Sequence, residues 1–208
     1  MRAIAYGELG VEKAPTPGDK VWAQGALACA WCRYGEPRKG FEILTQVVAI
    51  SRATRFRPPE IFTLFLGEGY WRAGEYDNAW HTLTACLDVV EPCGARFYTG
   101  SAYRLLGELA LESNPAQDRE PLAAPYFEKS IALLRDINAE NELALAYAGY
   151  GRLQQHLGER VHAEASLTQA LAIFERLGTL REPTKVRQLL TELASGSKRS
   201  RKAERAAP

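Results

Sequence analysis

No apolar run in this chain of 208 residues approaches the roughly 18 residues that cross a bilayer. The longest candidates, at 26–31 and 61–66, are far shorter, so no membrane span is expected. The first residues, Met-Arg-Ala-Ile-Ala-Tyr-Gly-Glu, lack the continuous apolar core of a secretory signal. Four cysteines (Cys29, Cys32, Cys86, Cys93) are too few for a disulfide scaffold. The location expected is therefore the cytoplasm. Alternation of apolar and polar residues over four to eight positions is nearly absent, which argues against a sheet.

Catalytic signatures are missing as well. There is no Gly-x-x-x-x-Gly-Lys-Ser/Thr phosphate loop, no strained Gly-x-Ser-x-Gly turn, and no paired metal-binding aspartates. His81, His156 and His162 have no Asp, Glu or Cys at ligand spacing. Cys29-Ala-Trp-Cys32 has the form of a redox or zinc pair, with Cys86 and Cys93 to complete four thiolates. It lies inside a helical run rather than on a knuckle, however, and no second Cys-x-x-Cys exists. Structural or surface thiols are the expectation, with no enzyme, cofactor or metal.

The charge is unevenly placed. Formal net charge is +1, but Lys198, Arg199, Arg201, Lys202 and Arg205 against Glu204 put +4 on the last thirteen residues and leave −3 on the rest. A general nucleic-acid surface is not indicated.

What the chain does have is recurrence. Leu66-Gly67, Tyr70, Gly74, Ala79, Leu83 and Cys86-Leu87 return as Tyr150-Gly151, Gln154, Gly158, Ala163, Leu167 and Ala170-Leu171. Degenerate copies hold Leu27-Ala28, Trp31, Gly40, Leu44 and Val47, and then Tyr103, Leu106-Gly107, Ala123, Phe127 and Ser130-Ile131. A repeat of this length with helical patterning signals stacked helical hairpins. Helices are predicted at 20–34, 37–55, 60–73, 76–91, 96–113, 120–137, 140–157, 160–177 and 183–195. Asp19 is the expected first N-cap. Gly35, Gly74 and Gly158 are expected as left-handed C-caps, and Pro59, Pro121 and Pro183 as helix starts. Small residues should let paired helices approach at Gly67–Ala79, Gly107–Ala123 and Gly151–Ala163. Three regions follow: an irregular segment 1–18, a helical-repeat domain 19–195, and a disordered basic tail 196–208.

The offsets resemble the tetratricopeptide (TPR) repeat, which has a small residue at its eighth position, an aromatic at its eleventh and Ala at its twentieth. Residues 60–92 and 144–175 carry the resemblance best. Phe97-Tyr98, the run from Ala102 to Leu111, and Ala170-Leu-Ala-Ile-Phe-Glu-Arg-Leu-Gly178 are also similar to a particular group. These are the C-terminal TPR regions of bacterial class III adenylate/guanylate cyclases and signal-transduction ATPase regulators. The resemblance, over 21–193, implies an all-α, right-handed superhelix of about four hairpins closed by a C-terminal capping helix. It also implies a non-enzymatic scaffold in a bacterial signalling pathway, or a regulatory fragment acting on a cyclase or ATPase domain. In repeats of this type the concave groove is lined from the first helices. Here that face comprises Trp22, Cys29, Arg33, Leu64, Glu68, Trp71, Arg72, Arg104, Glu108, Glu112, Arg152, Gln155 and His156, and a protein or peptide partner is expected on it. The Lys and Asn that clamp a chaperone tail are replaced by Gly25 and Cys29. Because 1–17 reads as too broken to cover the first hairpin, an exposed apolar N-terminal edge and self-association through it are expected.

Overall fold

The computed structural model describes residues 2–54, 60–112 and 119–204, with the side chains of Glu60, Glu120 and 196–204 set aside. Among the described residues it is all-helical: α1 (Arg2–Lys13), α2 (Pro17–Tyr34), α3 (Pro37–Thr54), α4 (Glu60–Arg72), α5 (Tyr76–Val90), α6 (Arg96–Glu112), α7 (Ala123–Asp136), α8 (Glu140–His156), α9 (Arg160–Arg176) and α10 (Glu182–Glu204). A 3₁₀ turn, Glu120–Leu122, precedes α7 and holds Pro121. Pro183 is the second residue of α10, whereas Pro59 and most of the predicted turn at 113–120 lie outside the described residues. The chain divides into two compact units, 1–109 and 110–208.

In the first unit α1 packs on α2, and the hairpins α2–α3 and α4–α5 join through α3–α4 and α2–α4 contacts. Ala28, Cys32, Leu44, Val47, Val48, Phe62 and Leu66 form one core cluster there. In the second unit α7 packs on α8, α8 pairs with α9, and α10 covers α9. Leu134, Ala144, Ala163, Leu167, Ala170, Phe174 and Val186 are at the centre of its core.

The hairpin turns share one chemistry. Gly74 (φ 80°) and Gly158 (φ 78°) sit in the left-handed region, where a Cβ is costly. The following residue donates its N–H five residues back, Glu75 to the Tyr70 carbonyl at 2.9 Å and Glu159 to the Gln154 carbonyl at 2.8 Å. Gly94, Asn138 and Gly178 repeat this arrangement between hairpins.

Gly35 departs from the expectation, with φ −137° and ψ −122°. It is needed for space rather than for handedness, since a Cβ there would stand 2.5 Å from the Trp31 ring. The first N-cap is also not Asp19 but Thr16. Its hydroxyl accepts from the Asp19 N–H at 3.1 Å and donates to the Asp19 carboxylate at 2.6 Å, with Pro17 as first helical residue.

Close approaches at Gly67 and Gly151 are present, but their main partner is larger than expected. A Cβ on Gly67 would lie 2.6 Å from Leu83, and one on Gly151 2.8 Å from Leu167 and 3.3 Å from the Ala163 carbonyl oxygen. The leucine one turn beyond the alanine fills the groove that each glycine leaves. The first hairpin exchanges the small residues, with Ala28 on α2 and Gly40 on α3, whose Cβ would meet Cys32 and the Ala28 carbonyl.

The terminal segments correct the sequence reading. Residues 2–13 are helical rather than irregular, because Pro15 and Pro17 end one helix and begin the next without breaking either. Gly7 lets α1 approach α2, where a Cβ would lie 2.8 Å from Leu27. Aligned on the starts of α2 and α6, Ile4, Gly7 and Val11 take the places of buried Leu83, Cys86 and Val90. Exposed Glu8, in contrast, stands where α5 buries Leu87. So α1 packs over the α2 side of the edge expected to be bare, while Tyr6 (72 %) and Leu9 remain exposed. At the other end α10 covers α9 through Pro183, Val186 and Leu193. Its backbone stays helical to Glu204 rather than ending at 195, which is consistent with a run of helix-forming Lys, Arg, Ala and Glu.

Candidate partner-binding face

Helix α4 is apolar on almost every side: Phe62, Thr63, Leu64, Leu66, Gly67 and Gly69 are all buried. A carboxylate placed on such a helix must be paired or neutralised. Glu68 is 3 % exposed and is held from two sides. Arg33, from α2, donates through Nε to both Glu68 oxygens at 3.0 and 3.1 Å and through Nη2 at 2.6 Å. Arg72, one turn along α4, donates through Nε at 3.0 Å, with Nη2 at 2.9 Å. Burial alone would raise the Glu68 pKa. The Arg33 guanidinium, then Arg72 and Arg104, outweigh it and bring it down to about 2.

Aromatic rings support both guanidiniums. Arg33 lies over Phe65 at 5.6 Å and Arg72 over Trp71 at 5.2 Å. Trp22 packs edge-on against Phe62, with centroids 5.0 Å apart, where α2 and α4 meet nearer their N-termini.

Of the residues that sequence placed on the groove, Arg33, Glu68, Arg72 and Arg104 are brought into one electrostatic cluster in the first unit. Trp22 is exposed, and Trp71 half-buried beside Arg72. Leu64, Glu68, Arg104 and Glu108 are buried rather than open, and every residue of α6 from 99 to 110 is buried. In the second unit Arg152 Nη2 meets Glu112 at 2.8 Å, Gln155 is half-buried and His156 exposed. Phe62 and Phe65 were not picked out by sequence reasoning. Their places six and three residues before Glu68 were the available signal.

The Cys29 and Cys32 thiols are both pushed up to about 12, burial being the main cause. Cys32 Sγ donates to the Pro37 carbonyl at 3.9 Å and fills the space that Gly40 and Gly69 leave. These are packing thiols, since the thiolate is the form that attacks and ligates. Cys86 is buried and Cys93 exposed. Among the described residues no three of His, Cys, Asp and Glu are grouped to hold a metal ion. His162 pairs with Glu159 at 3.4 Å. No helix of the described residues is long and apolar enough to cross a membrane.

The comparisons with known proteins bear on the fold. No family model matches the chain. Regulatory protein AfsR of Streptomyces griseus is 31% identical over 125 residues, which cover 60% of this chain and 12% of AfsR, so the chain spans only about an eighth of that relative. The crystal structure of BtubC (BKLC) from P. vanneervenii superposes with a TM-score of 0.66 at 18% identity, covering 100% of this chain and 92% of that one. A kinesin-light-chain-type protein of nearly identical TPR-like repeats from Podosopora anserina superposes at 0.52 and 19% identity, covering 86% and 88%. With its all-helical hairpins and repeated left-handed turns, this chain has a TPR-like fold.

Proposed function

We propose that the chain is a non-enzymatic interaction module of a bacterial signalling pathway, working in the cytoplasm and binding a protein or peptide partner on the first-helix face of its hairpins. The observation that carries this reading is the α2–α4 seam. There two guanidiniums, stacked on aromatic rings and anchored on one buried carboxylate, lie on a face that also exposes Trp22. Trp and Arg are the residues on which interface energy concentrates. Glu68 stays ionised at neutral pH and the two helical thiols stay protonated, so neither supplies a base or nucleophile.

The test is selection of a displayed random peptide library on the immobilised chain. Peptides so obtained should bind at least tenfold more weakly to Trp22→Ala/Arg72→Ala and equally well to His81→Ala, an exposed site on α5. A library that returns no peptide dependent on the double variant would remove the reading.

The match to AfsR, together with the small share of it that is covered, favours a second reading. The chain then acts as the regulatory TPR part of a larger assembly, on an ATPase-type regulator or cyclase domain in cis or in trans. Light scattering of the chain mixed with a purified ATPase domain of such a regulator should show a one-to-one complex; separate peaks at concentrations near 100 µM would exclude it.

A further inference from the structure

The α2–α4 seam hides its anion and displays its cations. Glu68 has 4% of its side chain exposed, whereas Arg33 and Arg72 have 33% and 37%. Solvent and any incoming group therefore meet guanidinium, and the buried carboxylate cannot be reached to bind a cation. Two arginines against one glutamate also leave this trio with one positive charge.

The guanidiniums are presented rather than waving. Each is fixed by hydrogen bonds to Glu68 and stacked on a ring, Phe65 under Arg33 and Trp71 under Arg72. Rotamer freedom that a partner would otherwise have to freeze is already lost in the free protein. A fixed guanidinium fork suits a carboxylate better than a hydrated ammonium does.

The same seam carries an apolar element at a set distance. Trp22 and Arg33 are eleven residues apart on α2, three turns and nearly the same stripe, which is about 16 Å along the axis. Both contact α4, Trp22 through Phe62 and Arg33 through Phe65 and Glu68. An extended peptide covers about 16 Å in about five residues.

We propose that this seam takes an extended acidic segment of a partner protein, an Asp or Glu side chain seated on the Arg33–Arg72 pair and an apolar side chain about five residues away against Trp22. The inference rests on the interaction reading above and adds the chemistry and spacing of the partner.

The experiment uses the peptides recovered on the full chain, resynthesised with a fluorophore and titrated by anisotropy. They should carry net negative charge with an acidic residue about five positions from an apolar one. Changing that acidic residue to Gln should weaken binding at least tenfold, as should Arg72→Gln in the protein. Melting curves identify the folded variants. Should Arg72→Gln lower the melting temperature, salt gives the same answer on the unmodified chain: binding of the acidic peptide, but not of its Gln form, should fall between about 50 and about 200 mM salt. Face-dependent peptides that are neutral or basic, or that respond less than twofold to Arg72→Gln and to salt, would overturn this inference and leave the interaction reading intact. Absence of any peptide dependent on Trp22 and Arg72 would overturn both.

Discussion

Replacing Gly67 by alanine inverts an ordinary helix rule, and the inversion measures how tightly α4 and α5 are locked. In a helix interior Gly→Ala normally stabilises by about 1 kcal/mol. At Gly67 the new Cβ would lie 2.6 Å from both Cγ and Cδ2 of Leu83, which is fully buried. Both atoms are too near for a rotation of the leucine's end to relieve them, so the whole side chain or the helix must shift. Overpacking of this kind costs about 1–3 kcal/mol, and the geometry points to the upper end. The expected net loss is about 2 kcal/mol after the propensity gain is subtracted. Gly10→Ala is the internal control, because its Cβ would stand 3.9 Å from Ala23, in ordinary contact, and should stabilise by about 0.5–1 kcal/mol. Urea unfolding followed by far-ultraviolet dichroism reads both. A double-mutant cycle with Leu83→Ala should return about 3 kcal/mol of coupling, the full overpacking cost, since the shortened side chain makes room for the methyl. A Gly67→Ala chain as stable as the parent would refute the register in which Leu83, rather than Ala79, fills the groove.

Four further outcomes are expected. Glu68 has its pKa lowered from 4.5 to about 2, so its contribution is present in full above pH 4.5 and is lost as pH falls through about 2. That interval corresponds to about 3 kcal/mol, and the pH dependence of unfolding should flatten in Glu68→Gln. With Cys29 and Cys32 raised to about 12 and Cys86 buried, a thiol-specific disulfide reagent at pH 8 should label Cys93 rapidly and the other three only on unfolding; mass spectrometry of the labelled peptides decides. Ser51 is buried with its hydroxyl unpartnered, at the position that holds Val90 in α5 and Phe174 in α9, so Ser51→Ala should raise stability by about 1 kcal/mol in the same urea assay. Glu112→Arg should cost about 0.5 kcal/mol by opposing Arg152, and adding Arg152→Glu should restore it, read as unfolding midpoints.

Much of the helical framework was legible because its punctuation is chemical. Predicted starts at 37, 60, 76, 96, 140 and 160 coincide with α3, α4, α5, α6, α8 and α9. Gly74 and Gly158 mark hairpin turns that no bulky residue adopts cheaply. The failures have physical causes too. Pro15-Thr16-Pro17 reads as a breaker, but Thr16 caps α2 and leaves α1 free to be helical behind it. Gly35 resembles the other turn glycines in sequence and differs from them in being required by the Trp31 ring. For the candidate face, the repeat offsets placed Arg33, Glu68 and Arg72 on one stripe, but periodicity gives only the direction of a side chain. Whether that direction is open depends on how closely the next helix lies. Leu64, Glu68, Arg104 and Glu108, assigned to a groove lining, are buried.

The buried charge at Glu68 is poorly explained as a source of stability, since a desolvated ion pair often does no better than a well-packed apolar pair. A second pair offers a better account. Arg33, near the end of α2, reaches Glu68 in the next first helix, and Glu112, near the end of α6, reaches Arg152 in the next one. Aligned on the small residues Ala28, Gly67, Gly107 and Gly151, Arg33 and Glu112 share one position, and Glu68 and Arg152 share another. The contact is the same and its polarity is reversed. Hairpins that share one packing rule could otherwise stack in any order, because Leu83 and Leu167 fill equivalent grooves. Opposite polarity penalises the wrong neighbour: a first helix ending in Arg33 is rejected by one carrying Arg152, and Glu112 is rejected by Glu68. Complementary charge at each of these contacts would disfavour a like-charged neighbour, as it does along a coiled coil. On this account ordering the stack needs only that the charges differ in sign. Holding Glu68 between two ring-stacked arginines goes beyond that need, and this surplus of cation is what the proposed acidic partner would use.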